Sequence, residues 1–506
     1  MSTVRTGGSS RWILFDQIDA GLPALAEADP ERDTVLFVTS NRLVDGRPWH
    51  RQRLHLIQSA AAHLAEELRS AGFVVDERRA PSLAEGIAAH VAQARPDEVV
   101  ATEANSPGAR RLQRRLGVRT LRSTQFLCHP DEFAEWAQGR PGRLRMEDFY
   151  RWQRTRLGVL VDGDQPIGGV WNLDADNREP PPKDGRSWPT APAITYDDID
   201  ERVIAELPDT CVGAPPDGRW PVTRSQALER LDAFIADGLP VFGPHEDAML
   251  AAEWKLAHSV LSSSLNLGLL RPMEVVRAAE SAYLDSRVPL ASAEGFIRQI
   301  LGWREYVWGL SWLWADGPDG GWWHWNELGA DRPLPPALST GETHMACVAN
   351  VCGHIEANGY AHHIERLMVL GNLSLIAGVR PDELTRWMWE RFVDGAEWVM
   401  LPNVIGMSQH ADGGRMATKP YASGGAYINK MSDHCRGCRY DPKRRTGDDA
   451  CPFTTLYWDF MARHRDRFGS NGRMRNQLAG LRRLSDLDAV RERAVEVLAL
   501  LDAGEL

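Results

Sequence analysis

Three cysteines near the C-terminus, Cys435, Cys438 and Cys451, follow the pattern C-x2-C-x12-C. A fourth, Cys347, stands far upstream, beside the helix-like segment Ala361-His362-His363-Ile364-Glu365-Arg366-Leu367-Met368. A C-x2-C turn aims two sulfurs at one ion or cluster, and a remote thiolate then ties that turn to a helix elsewhere. The arrangement implies a buried cofactor in a large enzyme. Spacing alone leaves zinc and an iron–sulfur cluster both open, because each accepts four thiolates, and His434 is an alternative to Cys347 as a zinc ligand. Cys128, Cys211 and Cys352 read as small buried hydrophobes.

Seven cysteines in 506 residues do not make a disulfide framework. A reducing cytoplasm is the expected setting, and there clustered cysteines favour metal or redox work. The length suggests roughly two to four domains of about 150 residues. No apolar run reaches the roughly 18 residues of a membrane span, and the polar stretch Met1–Arg11 lacks the apolar core of a signal peptide. A net charge of −11 argues against nucleic acid, but its distribution argues otherwise. Gly414–Gly480 holds thirteen Lys/Arg and six Asp, a local balance of +7, so the rest of the chain carries −18. A basic segment on an acidic body suits a polyanion. An ordinary solvated face is the plainer reading.

The first ~130 residues alternate short apolar runs with helical periodicity. Trp12–Phe15, Thr34–Val38, Gly72–Val75 and Glu98–Ala101 read as strands, and Leu54–Leu68 and Leu83–Gln93 as helices. That alternation predicts a parallel, Rossmann-like sheet. No G-x-G-x-x-G follows the first strand, so a flavin is expected elsewhere. Pro166–Pro221, rich in Pro, Gly and Asp, reads as a long connector. Beyond Thr223 the pattern is helical, with helices expected at Ser225–Ala236, Glu246–Leu261, Pro272–Tyr283, Ala293–Leu313, Met345–Ala357, Ala361–Ala377 and Pro381–Phe392. Three units follow: 1–135 α/β, 136–222 linking, and 223–506 helical.

Three further segments carry chemistry. His362 and His363 are adjacent, and neither packs in a core unless its ring nitrogens find partners. A histidine in a desolvated pocket can donate a proton near neutral pH. Nineteen tryptophans, many on two helical stretches, are mostly core, yet they suit stacking on bases or electron hopping. Ser262-Ser-Ser-Leu265-Asn266-Leu-Gly268 offers hydroxyls and backbone N–H groups to phosphate.

Together these segments resemble the iron–sulfur bacterial cryptochromes and photolyases, the prokaryotic (6–4) photolyases. The match runs along nearly the whole chain. It is strongest at Ala293–Tyr306, Tyr360–Asn372, Glu397–Gly414 and Lys419–Asp459, with Gly168–Asp174 in the connector. The resemblance implies an N-terminal antenna domain, a long linker and a helical domain cradling FAD, with a [4Fe–4S] cluster on Cys347, Cys435, Cys438 and Cys451. It places Ser262, Leu265 and Asn266 at the flavin phosphates, and Gln299, Trp303 and Arg304 in the same cavity. Arg366 and Asp394 become the ion pair beside the isoalloxazine, with Asn403 close by. The implied reaction is light-driven repair of a (6–4) pyrimidine–pyrimidone lesion flipped from UV-damaged DNA. His363, with His362 beside it, becomes the proton donor. Leu367, Met407, Tyr421 and Tyr427 become the lesion pocket, and Lys430 and Arg436 lie in the basic phosphate-binding segment Lys430–Arg445. A monomer is expected.

Some residues depart from the family pattern. Trp387 matches the electron route to the flavin, but its family partner tryptophan is Ser339 and the following tyrosine is Met388. Slow photoreduction, or a route through Trp389, follows. Met400 stands where many relatives carry Glu. The family's ribityl-lumazine antenna meets Val38 in place of an acid and Arg51-Gln52-Arg53 in place of a lysine cluster. Two other functions stay open: a blue-light photoreceptor of the same family, and a zinc-stabilised DNA-binding protein without flavin.

Overall fold

The computed structural model describes residues 5–140, 142–316 and 321–506, so residues 1–4 of the polar N-terminal stretch lie outside the described residues. Strands β1 (Ser9–Ile13), β2 (Thr34–Ser40), β3 (Val74–Ala80), β4 (Glu98–Thr102) and β5 (Arg119–Leu121) form one sheet in the order β3-β2-β1-β4-β5. Every pairing is parallel, with Trp12 opposite Leu36 in the β1–β2 register. Alternate residues face opposite sides of a strand. Trp12, Leu36, Val38 and Ala101 therefore pack with Ile87 of helix Leu83–Ala94. Ile13, Val35 and Phe37 point the other way, onto Leu56, Ala60 and Leu64 of helix Arg51–Ser70, in a core continuous with the helical part of the chain.

Four of the five strands match expectation, with shifted ends. β5 was not expected. Its three residues, Arg-Thr-Leu, lie at the sheet edge and are largely exposed, so they carry no apolar alternation. β3 runs on through Asp76-Glu77-Arg78-Arg79 for the same reason, because it forms the opposite edge.

Helix Pro130–Gln138 straddles residue 135, and helix Met146–Leu157 packs on the later helices. The connector keeps little regular structure apart from the short helix Asp198–Ala205, which lies on Arg51–Ser70.

One expected helix is absent. Glu246–Leu261 is turns and isolated bridges, with Leu256 and Val260 at positive φ. Tertiary bonds override its helical pattern. Met249 N–H donates to the Met431 carbonyl at 2.9 Å and Ala251 N–H to Asp433 Oδ1 at 2.9 Å. The buried Lys255 ammonium is spent on the carbonyls of Pro189 and Leu256. The segment thereby stitches the connector to the cysteine-bearing loop.

Candidate functional site

Four helical stretches of the C-terminal region widen into π-helical turns among the described residues: Phe234–Gly238 and, bearing the expected site residues, Arg298–Arg304, Arg366–Gly371 and Pro402–Ser408. A π turn inserts a residue and re-aims the side chains after it, and such turns gather at functional sites. Of the three site-bearing turns, the first carries Gln299, Trp303 and Arg304, the second Arg366 and Leu367, and the third Asn403 and Met407. The second and third pack closely. Gln409 donates to the Gly371 carbonyl at 3.0 Å, and a Cβ at Gly371 would collide with Ser408 Oγ.

At the centre lies a two-pronged ion pair. Arg366 Nη1 and Nη2 meet Asp394 Oδ1 and Oδ2 at 3.0 and 3.1 Å. Ser262 Oγ donates to Asp394 Oδ2 at 2.7 Å, and Asn266 Nδ2 to the Asp394 carbonyl at 2.9 Å. The guanidinium of Arg366 also lies over Phe392, 3.9 Å from the ring centre. Arg304 donates to the Leu265 carbonyl at 3.3 Å and pairs with Glu305 at 2.7 Å. Burial lowers the Arg304 pKa, and Glu305 offsets part of that. The side-chain amides of Gln299 and Asn403 each donate to a carbonyl four residues back in their own helix. Their oxygens stay available to a ligand, and both residues are half-buried, as are Ser262, Asn266, Trp303 and Arg304. Hydrogen bonds thus join Ser262 and Asn266 of the expected flavin set to Asp394, and Arg304 to Leu265 beside them.

The two histidines separate in role. His363 opens to solvent, yet burial lowers its pKa to about 4, with Arg366 adding to the effect. Exposure and desolvation coexist where a side chain faces a deep recess. His362 is fully buried behind it. Neither of its ring nitrogens has a hydrogen-bond partner, and burial holds its pKa well below the usual range. Its ring stacks on His258, centroids 4.6 Å apart and 16° from parallel. His258, pushed to about 3 by burial and then by His363, was not singled out from sequence. It lies in the segment expected to be helical, and nothing in its local pattern marks it.

Leu367 and Met407 are buried, while Tyr421, on the loop before helix Gly425–Met431, and Tyr427, in that helix, are half-buried. Asn372 fixes that loop through reciprocal bonds with Ser423, at 2.9 and 3.0 Å. Burial raises the pKa of both tyrosines, with Asp247 adding to it and Arg178 opposing. Next to Asp247, Glu246 is pushed up to about 8 by burial, against the pull of Arg298. Sequence reading did not single out Glu246.

The four expected cysteines converge. Cys347 sits in the first turn of helix Ala346–Asn358, Cys435 and Cys438 on a 3-10 turn, and Cys451 caps helix Pro452–Arg463. They line one recess with His434 and Tyr440. Burial and the neighbouring sulfurs raise the Cys347 thiol far above its usual range, and Cys435 to about 12. Clustered thiolates stay ionised together only around a cation. A Cβ at Gly425 would stand 2.8 Å from Cys451 Sγ, so glycine lets that loop approach. Lys430 and Arg436 are exposed near this loop.

Trp387 is buried, with Phe392 as its ring neighbour at 6.3 Å, which carries it toward Arg366. Trp389 points elsewhere, between Trp49 at 6.2 Å and Trp323 at 6.4 Å. Met400 is buried and Ser339 exposed. In the sheet domain, Arg51 and Gln52 bond the connector carbonyls of Gly213 and Pro215, and Arg53 bonds the Phe392 carbonyl.

Residues 11–216 match the model of the family described as deoxyribodipyrimidine photo-lyase-related protein. Over 493 residues the chain is 43% identical to the (6-4) photolyase of Agrobacterium fabrum, covering 94% of this chain and 95% of that one. Among solved structures it is similar to a bacterial class III photolyase from Agrobacterium tumefaciens, with TM-score 0.58, 16% identity and 99% of each chain covered. A cryptochrome from Synechocystis sp. PCC6803 follows, with TM-score 0.55, 15% identity and 84% and 89% covered. These two likenesses concern the fold.

Proposed function

We propose a function from one premise: this chain belongs to the deoxyribodipyrimidine photo-lyase-related protein family, and it has the photolyase/cryptochrome fold. It is a (6–4) photolyase, restoring (6–4) pyrimidine–pyrimidone photoproducts in UV-damaged DNA under light. The photoreceptor alternative is not favoured, since the 43%-identical relative is named for repair. The observation that carries the reading is His363, an exposed imidazole between the buried His362 and Ile364 and close enough to Arg366 for the guanidinium to depress its pKa.

FAD fits the donor set around Arg366–Asp394. Bound and reduced, it supplies an electron to the lesion on absorbing light. Ser262, Leu265, Asn266, Gln299, Trp303, Arg304 and Asn403 would hold it. Asp394 fixes Arg366, and Ser262 and Asn266 fix Asp394, so the pair is oriented in advance. Tyr421, Tyr427, Leu367 and Met407 would wall the flipped base and exclude water. His363, neutral above about pH 4 in the free protein, presents an N–H there. Negative charge on a bound lesion and its phosphates raises the proton affinity of that ring, which suits general-acid transfer to the migrating hydroxyl. His362, behind it, holds the His258 ring in place.

The four cysteines line one recess, and in a chain of this family that donor set supports a [4Fe–4S] cluster. A lumazine antenna has weaker support, because Arg51, Gln52 and Arg53 are already spent on backbone carbonyls. Product analysis after illumination tests the function. Reduced protein is given one oligonucleotide with a (6–4) lesion and one with a cyclobutane dimer. Intact bases from the first alone are expected; repair confined to the dimer would overturn the substrate assignment.

A further inference from the structure

Far from the flavin cavity, helix Arg51–Ser70 and the connector helix Asp198–Ala205 meet over two histidines and two aspartates. His55 and His63 are a little over two turns apart and share one broad helix face. Asp200 projects between them, with Oδ1 3.3 Å from His55 Nε2 and Oδ2 3.5 Å from His63 Nε2. Asp197 Oδ1 lies 3.7 Å from the same His63 nitrogen. One ligand atom each from His63, Asp197 and Asp200 falls within a 4.8 Å group. The His55 and Asp200 side chains are both 1% exposed. Even so, His55 Nε2, His63 Nε2 and Asp200 Oδ1 make no close hydrogen bond among the described residues, though all three are buried.

A charge-assisted N–H to carboxylate bond closes to about 2.7–2.9 Å. These atoms stand at 3.3–3.7 Å, near the edge of a tetrahedron whose bonds are about 2.0–2.2 Å. Other contacts already orient the ligands. Asp197 Oδ1 accepts from Ile199 N–H at 2.8 Å and Asp200 N–H at 3.2 Å, and Asp200 Oδ2 accepts from Asp197 N–H at 3.3 Å. Tyr196 packs on the His55 ring, centroids 4.8 Å apart. The Asp197 side chain is 57% exposed, which leaves an entry path.

We infer that His63, Asp197 and Asp200 form a binding site for a divalent transition metal, with zinc as the ion that fits, while His55 steadies Asp200 from the buried side. An imidazole with two carboxylates and an open position suits a borderline ion, whereas magnesium and calcium favour oxygen ligands. The two carboxylates also balance the ion's charge. Zinc here staples the connector to the sheet domain and takes no part in repair.

The test uses the holoprotein, flavin and cluster in place, stripped with a mild chelator and titrated with zinc sulfate by calorimetry and elemental analysis. One zinc per chain beyond the cluster metal is expected, with magnesium giving no comparable binding. Asp197→Asn, at an exposed position, and His63→Ala should each weaken zinc at least about tenfold. Iron content, flavin absorbance and repair should stay at wild-type levels, which certifies the fold of each variant. Zinc should raise the melting temperature of the wild type and not of the variants. No zinc bound by the wild type, or equal binding by all three proteins, would overturn the site; equal binding would direct the search to the cysteines.

Discussion

Asp394 shows how much one residue can organise. Its two oxygens take both prongs of Arg366, a hydroxyl from Ser262 adds to one of them, and its own carbonyl anchors Asn266. The Arg366–Asp394 pair is largely shielded from water, with side chains 18% and 8% exposed. Removing one partner of such a pair leaves the other uncompensated, at a cost of about 3–5 kcal/mol. Asp394→Asn should therefore purify with little flavin, read from absorbance and released pigment, while iron content stays near one cluster per chain. Full flavin retention would remove the pair from the binding account. The residue types at this centre were legible in the sequence only through family resemblance. No local pattern links position 366 to position 394, and no spacing rule reports that Ser262 would meet an aspartate 132 residues later. The cysteines were different, because a C-x2-C turn states its own chemistry and needs only its remote partner found.

Among elements, the π turns were the least legible feature. Ala293–Leu313 and Ala361–Ala377 read as plain helices, because a single inserted residue leaves the apolar periodicity almost intact. The error at Glu246–Leu261 has the opposite cause: helical periodicity is present, but backbone partners on the cysteine loop outcompete it. The helix Pro381–Arg391 bears on the electron route. Its Trp387 approaches Arg366 through Phe392, whereas Trp389 turns toward Trp49 and Trp323. The geometry thus speaks against the expected detour through Trp389 and leaves Trp387 as the inner relay, with Ser339 unable to extend it. Trp387→Phe should slow photoreduction of the oxidised flavin at least severalfold, measured by bleaching under blue light with a thiol donor, and Trp389→Phe should not. Fast reduction independent of Trp387 would sink that route. Element junctions also set acid stability. His50 and His410 are buried and held at about 4, chiefly by desolvation. The unfolded chain takes up these protons near pH 6.5 and the folded one does not. Their contribution is fully present above pH 6.5 and is lost as pH falls toward 4, at most about 3 kcal/mol each. Denaturant midpoints should fall through that window; a flat profile between pH 7 and 4.5 would contradict it.

At the scale of the whole molecule, the doubly wound sheet and the helical body were readable because strands buried on both faces are continuous apolar runs. How they join was not, since the junction is made of long-range backbone bonds such as Arg51 to Gly213 and Arg53 to Phe392. Charge is also organised at this scale. The chain is acidic overall, yet Lys430, Arg436, Arg439 and Lys443 are exposed around the cysteine loop. Phosphate contacts release counterions, so affinity for damaged duplex should fall steeply with salt. Lys430→Ala with Arg436→Ala should lower the slope of log affinity against log salt by about 2, and an unchanged slope would move the DNA to another face.

The central claim joins the scales: light, a flavin site built on Arg366–Asp394 and one histidine beside it restore a (6–4) lesion. It is tested by product analysis of an oligonucleotide with a single such lesion, using reduced wild type and His363→Ala, each in light and in dark. The account predicts intact bases from the wild type in light only. The variant should bind the DNA normally yet repair it about 10² to 10⁴ times more slowly. Restoration in the dark, or equal repair by His363→Ala, would contradict it.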